Sequence, residues 1–156
     1  MSEFPYLLMR RHLSEPVTAA AWPSGTRLTA FSPDRAPAIH ALLLHAYQNG
    51  GGTVAPYADW WERLSTDSEY DPTLIFSVRD NRGELIAAAQ CWTSAFVKDI
   101  AVDPAWQRRG IGSALLALIF HVFHKRGADK VELKVQSDNP SAVRFYRSLG
   151  MVPQDG

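Results

Sequence analysis

Asp99-Ile100-Ala101-Val102-Asp103-Pro104-Ala105-Trp106-Gln107-Arg108-Arg109-Gly110-Ile111-Gly112-Ser113-Ala114-Leu115 is the stretch whose reading decides the fold. An apolar run ends at Val102, and Pro104 marks a turn. Gly110 then opens a helical pattern through Leu115, Leu118, Ile119, Val122 and Phe123 to Arg126, where Gly127 stops it. A strand followed by a glycine-rich helix start presents unpaired backbone N–H groups and the positive end of the helix dipole, and the glycines leave room for an anion. The pattern therefore points to a phosphate site. A Rossmann fingerprint would need a third glycine where Leu115 stands, and a Walker loop would need Gly-Lys-Ser/Thr; neither is present. The structural alternative is that Gly110 and Gly112 serve close helix–sheet packing beside solvated Arg108 and Arg109.

Outward from this stretch the chain alternates between strand and helix patterns. Thr26 to Phe31 reads as a strand, and a helix with Ile39, Leu42, Leu43 and Ala46 on one face runs from Asp34 to Tyr47. Gly50, Gly51 and Gly52 mark a loop before a short helix carrying Trp60, Trp61 and Leu64. Strands follow over Leu74–Val78, Glu84–Trp92 and Phe96–Val102, the first two joined by a turn at Asp80-Asn81-Arg82-Gly83. After the long helix come a strand at Val131–Val135 and a last helix from Asn139-Pro140 to Leu149, with Asn139 as its cap. This order predicts a mixed α/β (α+β) fold with a mostly antiparallel sheet and flanking helices. Residues 1–25 contain Pro5, Pro16 and Pro23 and read as an N-terminal arm with one short strand or turn of helix, outside the regular core; residues 26–156 read as a single domain.

The chain's 156 residues suffice for one core without metal or disulfide support. Sixteen basic and sixteen acidic side chains cancel, which argues against non-specific nucleic-acid binding and against an anionic membrane surface. Cys91 is alone, so the chain forms no internal disulfide, and the longest apolar run, Ala114–Phe120, is far short of a membrane span. The first eleven residues place their arginines after the apolar stretch, the reverse of a secretory leader, and a cytoplasmic location is expected.

A second motif, Asn139-Pro140-Ser141-Ala142-Val143-Arg144-Phe145-Tyr146-Arg147-Ser148-Leu149-Gly150-Met151, follows the glycine loop at a fixed distance. Together they resemble the GNAT superfamily of N-acetyltransferases, whose signature is an Arg/Gln-x-x-Gly-x-Gly/Ala loop and an Asn…Ala…Tyr…Leu-Gly-Phe/Met helix. The resemblance is specific over residues 96–151 and looser over 26–92. It implies acetyl-CoA as cosubstrate, bound where two parallel strands splay apart, and direct transfer of acetyl to an amine. By position, the backbone of Ile100, Ala101 and Val102 would pair with the pantetheine arm. Arg108, Arg109, Gly110, Ile111, Gly112 and Ser113 would hold the pyrophosphate, Asn139 would touch the cofactor, and Tyr146 would face the sulfur as the catalytic hydrogen-bond donor. The rival of another class is an acyl-CoA-binding regulatory module without turnover.

The general base stays open. Some family members carry a carboxylate five residues before the motif asparagine, where this chain has Lys134. Asp99, Glu132, Glu62 and His45 are the candidates. The family further implies that residues 34–66 shape the acceptor site, where Tyr47, Tyr57, Trp60 and Trp61 with Asp59 and Glu62 form a cationic-amine pocket or, alternatively, ordinary core packing. The resemblance implies a small-molecule or peptide amine as acceptor. Family members also continue with two further strands after the Leu-Gly-Met position, whereas Val152–Gly156 here leaves them truncated. The segment Phe4–Trp22 or a second subunit in a homodimer is expected to cover that sheet edge.

Overall fold

The computed structural model describes residues 6–14, 17–48 and 53–154; the glycine loop at 50–52 and Phe4 lie outside these. Seven strands form one sheet: β1 (Tyr6–His12), β2 (Thr26–Thr29), β3 (Ile75–Asp80), β4 (Leu85–Trp92), β5 (Phe96–Val102), β6 (Lys130–Gln136) and β7 (Val152–Pro153). Four α-helices flank it: α1 (Ala36–Tyr47), α2 (Tyr57–Ser65), α3 (Ile111–Lys125) and α4 (Pro140–Ser148). The spatial order is β2-β3-β4-β5-β6-β1-β7, with every pair antiparallel except β5–β6. Among the described residues no helix is long and apolar enough to cross a membrane.

The sheet carries a core on each face. Side chains alternate across a strand, so Ala87, Ala89 and Cys91 of β4 face α3 while Ala88 faces α1 and α2. The α3 side holds Leu115, Leu116, Ile119 and Phe123, all essentially inaccessible to water. Their burial contributes about 1.5–3 kcal/mol each, so the glycine-rich start of α3 is fixed to the sheet by the rest of the helix. The run of alanines in β4 lets both helix layers approach closely. Burial raises the Cys91 thiol pKa, which suits a core residue and not a nucleophile.

The stretch read as an arm departs from that expectation in its first half. Residues 6–12 form an inner strand, paired along their whole length with β6 from Tyr6↔Gln136 to His12↔Lys130. Leu7 and Met9 pack into the α3-side core, with Met9 wholly buried, and the Arg11 guanidinium lies 4.7 Å from the centre of the Phe120 ring. Opposite, Arg10 pairs with Glu132 at 2.6 Å. The strand thus covers the edge of β6 opposite β5, as expected of this segment, and β7 pairs with its outer side through Arg10↔Val152. Prolines at 5 and 16 bracket the strand without interrupting it.

Because Met9 is locked between β6 and α3, Met9→Ala is expected to lower unfolding free energy by about 2–5 kcal/mol in urea denaturation. A change under about 0.5 kcal/mol would place β1 outside the cooperative core.

Candidate active site

Strands β5 and β6 are paired at only two positions, Phe96↔Glu132 and Val97↔Leu133. Immediately after Val97 the β4–β5 register shifts, since Gln90 opposes Asp99 while Cys91 opposes Val97, leaving Lys98 as an extra residue. Such a bulge bends its strand and increases local twist. From here β5 stays with β4 as far as Ala87↔Val102, while β6 stays with β1. Among the described residues the β6-facing backbone groups of β5 beyond Val97 have no strand partner, and an extended ligand bearing amides can pair with them.

A cleft of about 1240 Å³ fills the gap. The structure brings Ile100, Ala101, Val102, Arg108, Gly110, Ile111, Gly112, Ser113, Asn139 and Tyr146 together along its walls. Arg109 does not join them: its guanidinium stacks on Trp106, 4.7 Å from the ring centre, an arrangement favoured by the indole's electron-rich face. The loop itself is held from below. Asp103 Oδ1 accepts from the Ala105 amide at 2.8 Å, and Gln107 Nε2 donates to the Val102 carbonyl at 3.1 Å.

Two residues of this loop adopt left-handed backbone conformations, Arg108 at φ 64° and Gly110 at φ 91°. Alternating conformations of this kind turn successive N–H groups inward, into a concavity suited to an anion. The first turn of α3 contains no acid and no side-chain cap, so its amides and the helix dipole also point there unopposed. The two glycines differ in what requires them. A side chain at Gly110 would meet only Pro23 at 3.9 Å, so its constraint is conformational; a Cβ at Gly112 would lie 3.2 Å from Phe145 Cζ, so its constraint is packing against α4. Close packing on α4 at Gly112 therefore leaves the amides of this helix start free to face the cleft.

Asn139 caps α4 by accepting from the Ala142 amide at 3.2 Å, and it also borders the cleft. Tyr146, one turn beyond Ala142 on the same helix, has its pKa pushed up to about 12 by burial. Across the cleft Tyr47 donates to Asp99 Oδ1 and the Ile100 carbonyl, both at 3.3 Å, and Lys98 Nζ lies 2.9 Å from Asp99 Oδ2. Burial, then the Asp99 carboxylate, push Tyr47 well above the usual tyrosine range.

Of the four base candidates only Asp99 borders the cleft. Glu132 is paired with Arg10, Glu62 is exposed on α2, and His45 lies 3.9 Å from Asp103. The aromatic pocket resolves as packing: Trp60 is buried against His40 and Tyr57, and Trp61 packs on Phe31 and Tyr70, in the core beneath α1 and α2. Asp59 is exposed, and only Tyr47 of that group reaches the cleft. Sequence reasoning missed Phe145 as the neighbour of Gly112 and Lys98 as the bulge; the Lys98-Asp99 pair, which interrupts the apolar run of β5, was the available signal for the latter.

A family model described as the acetyltransferase (GNAT) family matches residues 36–151. The mycothiol acetyltransferase of Clavibacter michiganensis subsp. michiganensis is 33% identical over 133 residues, covering 80% of this chain and 42% of the relative. The ribosomal protein bS18-alanine N-acetyltransferase of Escherichia coli K12 is 34% identical over 94 residues, or 58% of this chain and 63% of that protein. A GCN5-related N-acetyltransferase structure from Sphaerobacter thermophilus superposes with a TM-score of 0.82 at 24% identity, covering 96% of this chain and 48% of the other. The Escherichia coli ribosomal-protein-S18-alanine N-acetyltransferase structure gives 0.66 at 26% identity over 80% of this chain and 76% of that one. The chain thus spans about half the length of the mycothiol acetyltransferases it matches.

Gly110→Ala is expected to cost about 1–2 kcal/mol through its left-handed conformation. Gly112→Ala is expected to cost about 1–3 kcal/mol through Phe145, and Phe145→Leu should recover part of that loss. Denaturation of each variant measures these costs, and in a double-mutant cycle additivity between Gly112→Ala and Phe145→Leu would refute the packing account.

Proposed function

The chain belongs to the acetyltransferase (GNAT) family, and from that premise we propose that it moves an acetyl group from acetyl-CoA directly to an amine, both substrates being held in the β5–β6 cleft at once. The observation that carries this reading is the join of an unpaired β5 edge to an acid-free, glycine-opened helix start. One wall suits an amide-bearing arm, and the other suits a diphosphate.

An acetyl thioester supplies an activated acyl carbon. The chain's contribution begins with Arg108 and the amides of Ile111, Gly112 and Ser113, which would fix the phosphates and hence the depth of the arm. Ile100, Ala101 and Val102 would align the arm along β5. The attacking nitrogen forms a bond to the acyl carbon, the carbon–sulfur bond breaks, and the electron pair leaves on sulfur, where the Tyr146 hydroxyl would donate a hydrogen bond. From a phenol at about 12, full proton transfer to a thiolate near ~8.5 is uphill by about 5 kcal/mol, so donation without transfer is favoured.

The amine must also lose a proton. At neutral pH an α-amine near ~7.8 costs about 1 kcal/mol to deprotonate and a lysine-like amine about 4.6 kcal/mol. Asp99, fixed by Tyr47 and Lys98, is the carboxylate placed to take that proton or orient the nitrogen. Relatives named for mycothiol and for a ribosomal-protein alanine support a small-molecule or peptide acceptor.

Acetyl-CoA at a hundred times its Kd is expected to stabilise the protein by about 2.7 kcal/mol in a thermal-shift series, and an acceptor screen should release free thiol. Stabilisation without thiol release over a broad amine panel would favour the binding-module reading. Tyr146→Phe is expected to lower kcat by about 10- to 100-fold with little change in the KM for acetyl-CoA.

The same tyrosine sets a pH expectation. Its raised pKa keeps the donor form populated up to about 12, so that form is lost only above that pH. The kcat profile should therefore show no falling limb between roughly pH 7 and 10. A fall with an apparent pKa near 9 that Tyr146→Phe abolishes would contradict the role.

A further inference from the structure

Away from the cleft a second hollow, of about 580 Å³, opens at the β2–β3 edge of the sheet, with Arg27, Arg35 and Arg79 around it. Arg27 and Arg79 are directly opposed in the antiparallel register, so their side chains share one face. Like charges in that position repel and are disfavoured unless a counter-charge intervenes. None of the three guanidiniums has a carboxylate within 4 Å among the described residues.

Arg79 is held in place from one side only. Its Nη1 donates to the Gly83 carbonyl at 2.8 Å, which ties the side chain to the β3–β4 turn, while its Nε is buried without a partner. Arg35 immediately precedes α1, whose first turn carries no acid and no side-chain cap. Three guanidiniums thus surround one hollow in a chain whose total formal charge is zero. Planar guanidinium forks match tetrahedral oxyanions, each offering paired N–H donors.

We propose that this hollow binds a phosphate-type dianion, as a free ion or as a phosphate monoester, at a site separate from the β5–β6 cleft. The bound dianion neutralises the Arg27–Arg79 repulsion and fixes the β2 edge against β3. The hollow and the cleft share no lining residue, and β4 lies between the strands that bear them.

The test is titration of the intact protein with inorganic phosphate, followed by calorimetry and melting temperature, with coenzyme A present at saturation. Phosphate is expected to bind and to raise the melting temperature. An Arg27→Gln/Arg79→Gln double variant is expected to bind at least about tenfold more weakly, and to melt no lower than the native chain when phosphate is absent. Phosphate binding undiminished in that variant, or no phosphate response in the native chain, overturns the site. Succinate should bind more weakly than phosphate, and equal or tighter binding of this dicarboxylate overturns the assignment to phosphate. Should the double variant not fold, Arg35→Gln, a change at an exposed position, is expected to show the same loss, and undiminished binding there overturns the proposal equally.

Discussion

The parting of β5 from β6 after two shared positions is the constraint on which the rest of the molecule depends. A parallel pair that continued to Val102 would satisfy its own backbone and leave no cleft. Lys98, unopposed in the β4–β5 ladder, falls at the first residue beyond the last shared pair and supplies the bend. Each diverging strand keeps its other neighbour, β4 for β5 and β1 for β6, so the opening is rigid on both sides. The α3 helix spans the gap from one face, with its first turn at the open end of the fork.

Several residues around the opening serve structure and site together. Gly112 permits Phe145 to pack on α3 and also borders the cleft. Asn139 caps α4 and borders it too. Tyr47 spans from α1 to β5, which ties the helix layer to the strand edge nearest the candidate chemistry. Such sharing makes the site's geometry a by-product of core packing, because displacing any of these groups disturbs helix and cleft at once.

What could be read from the chain depended on how local the determining interaction is. The strand–turn–glycine–helix segment at 99–126 was legible because proline, glycine and apolar period act within a few residues of one another. The last helix was legible for the same reason, through Asn139-Pro140. Strand β1 was legible in part: this segment was expected to cover the sheet edge, but Leu8 and two arginines blur the alternation of Leu7, Met9 and Leu13, and the pairing that makes it an inner strand lies with residues 130–136. The layer in which Trp60 and Trp61 sit was equally hidden, since helix periodicity says that a face is apolar without saying what it meets. The placing of Arg109 was not legible either, since its guanidinium stacks on Trp106, three residues away, a contact that no motif announces.

Strand β1 carries a kinetic consequence. Tyr6 and its partner Gln136 are 130 residues apart, the difference of their positions, and the intervening chain must be made before they can meet. At synthesis rates of roughly 5–20 residues per second, this amphipathic ribbon waits about 6–26 s on the ribosome with its apolar edge unmatched. High contact order of this kind slows folding, and the interval invites chaperone capture or mispairing with another nascent chain. The first strand of the sheet to be made is thus the one whose partners, β6 and β7, are made last.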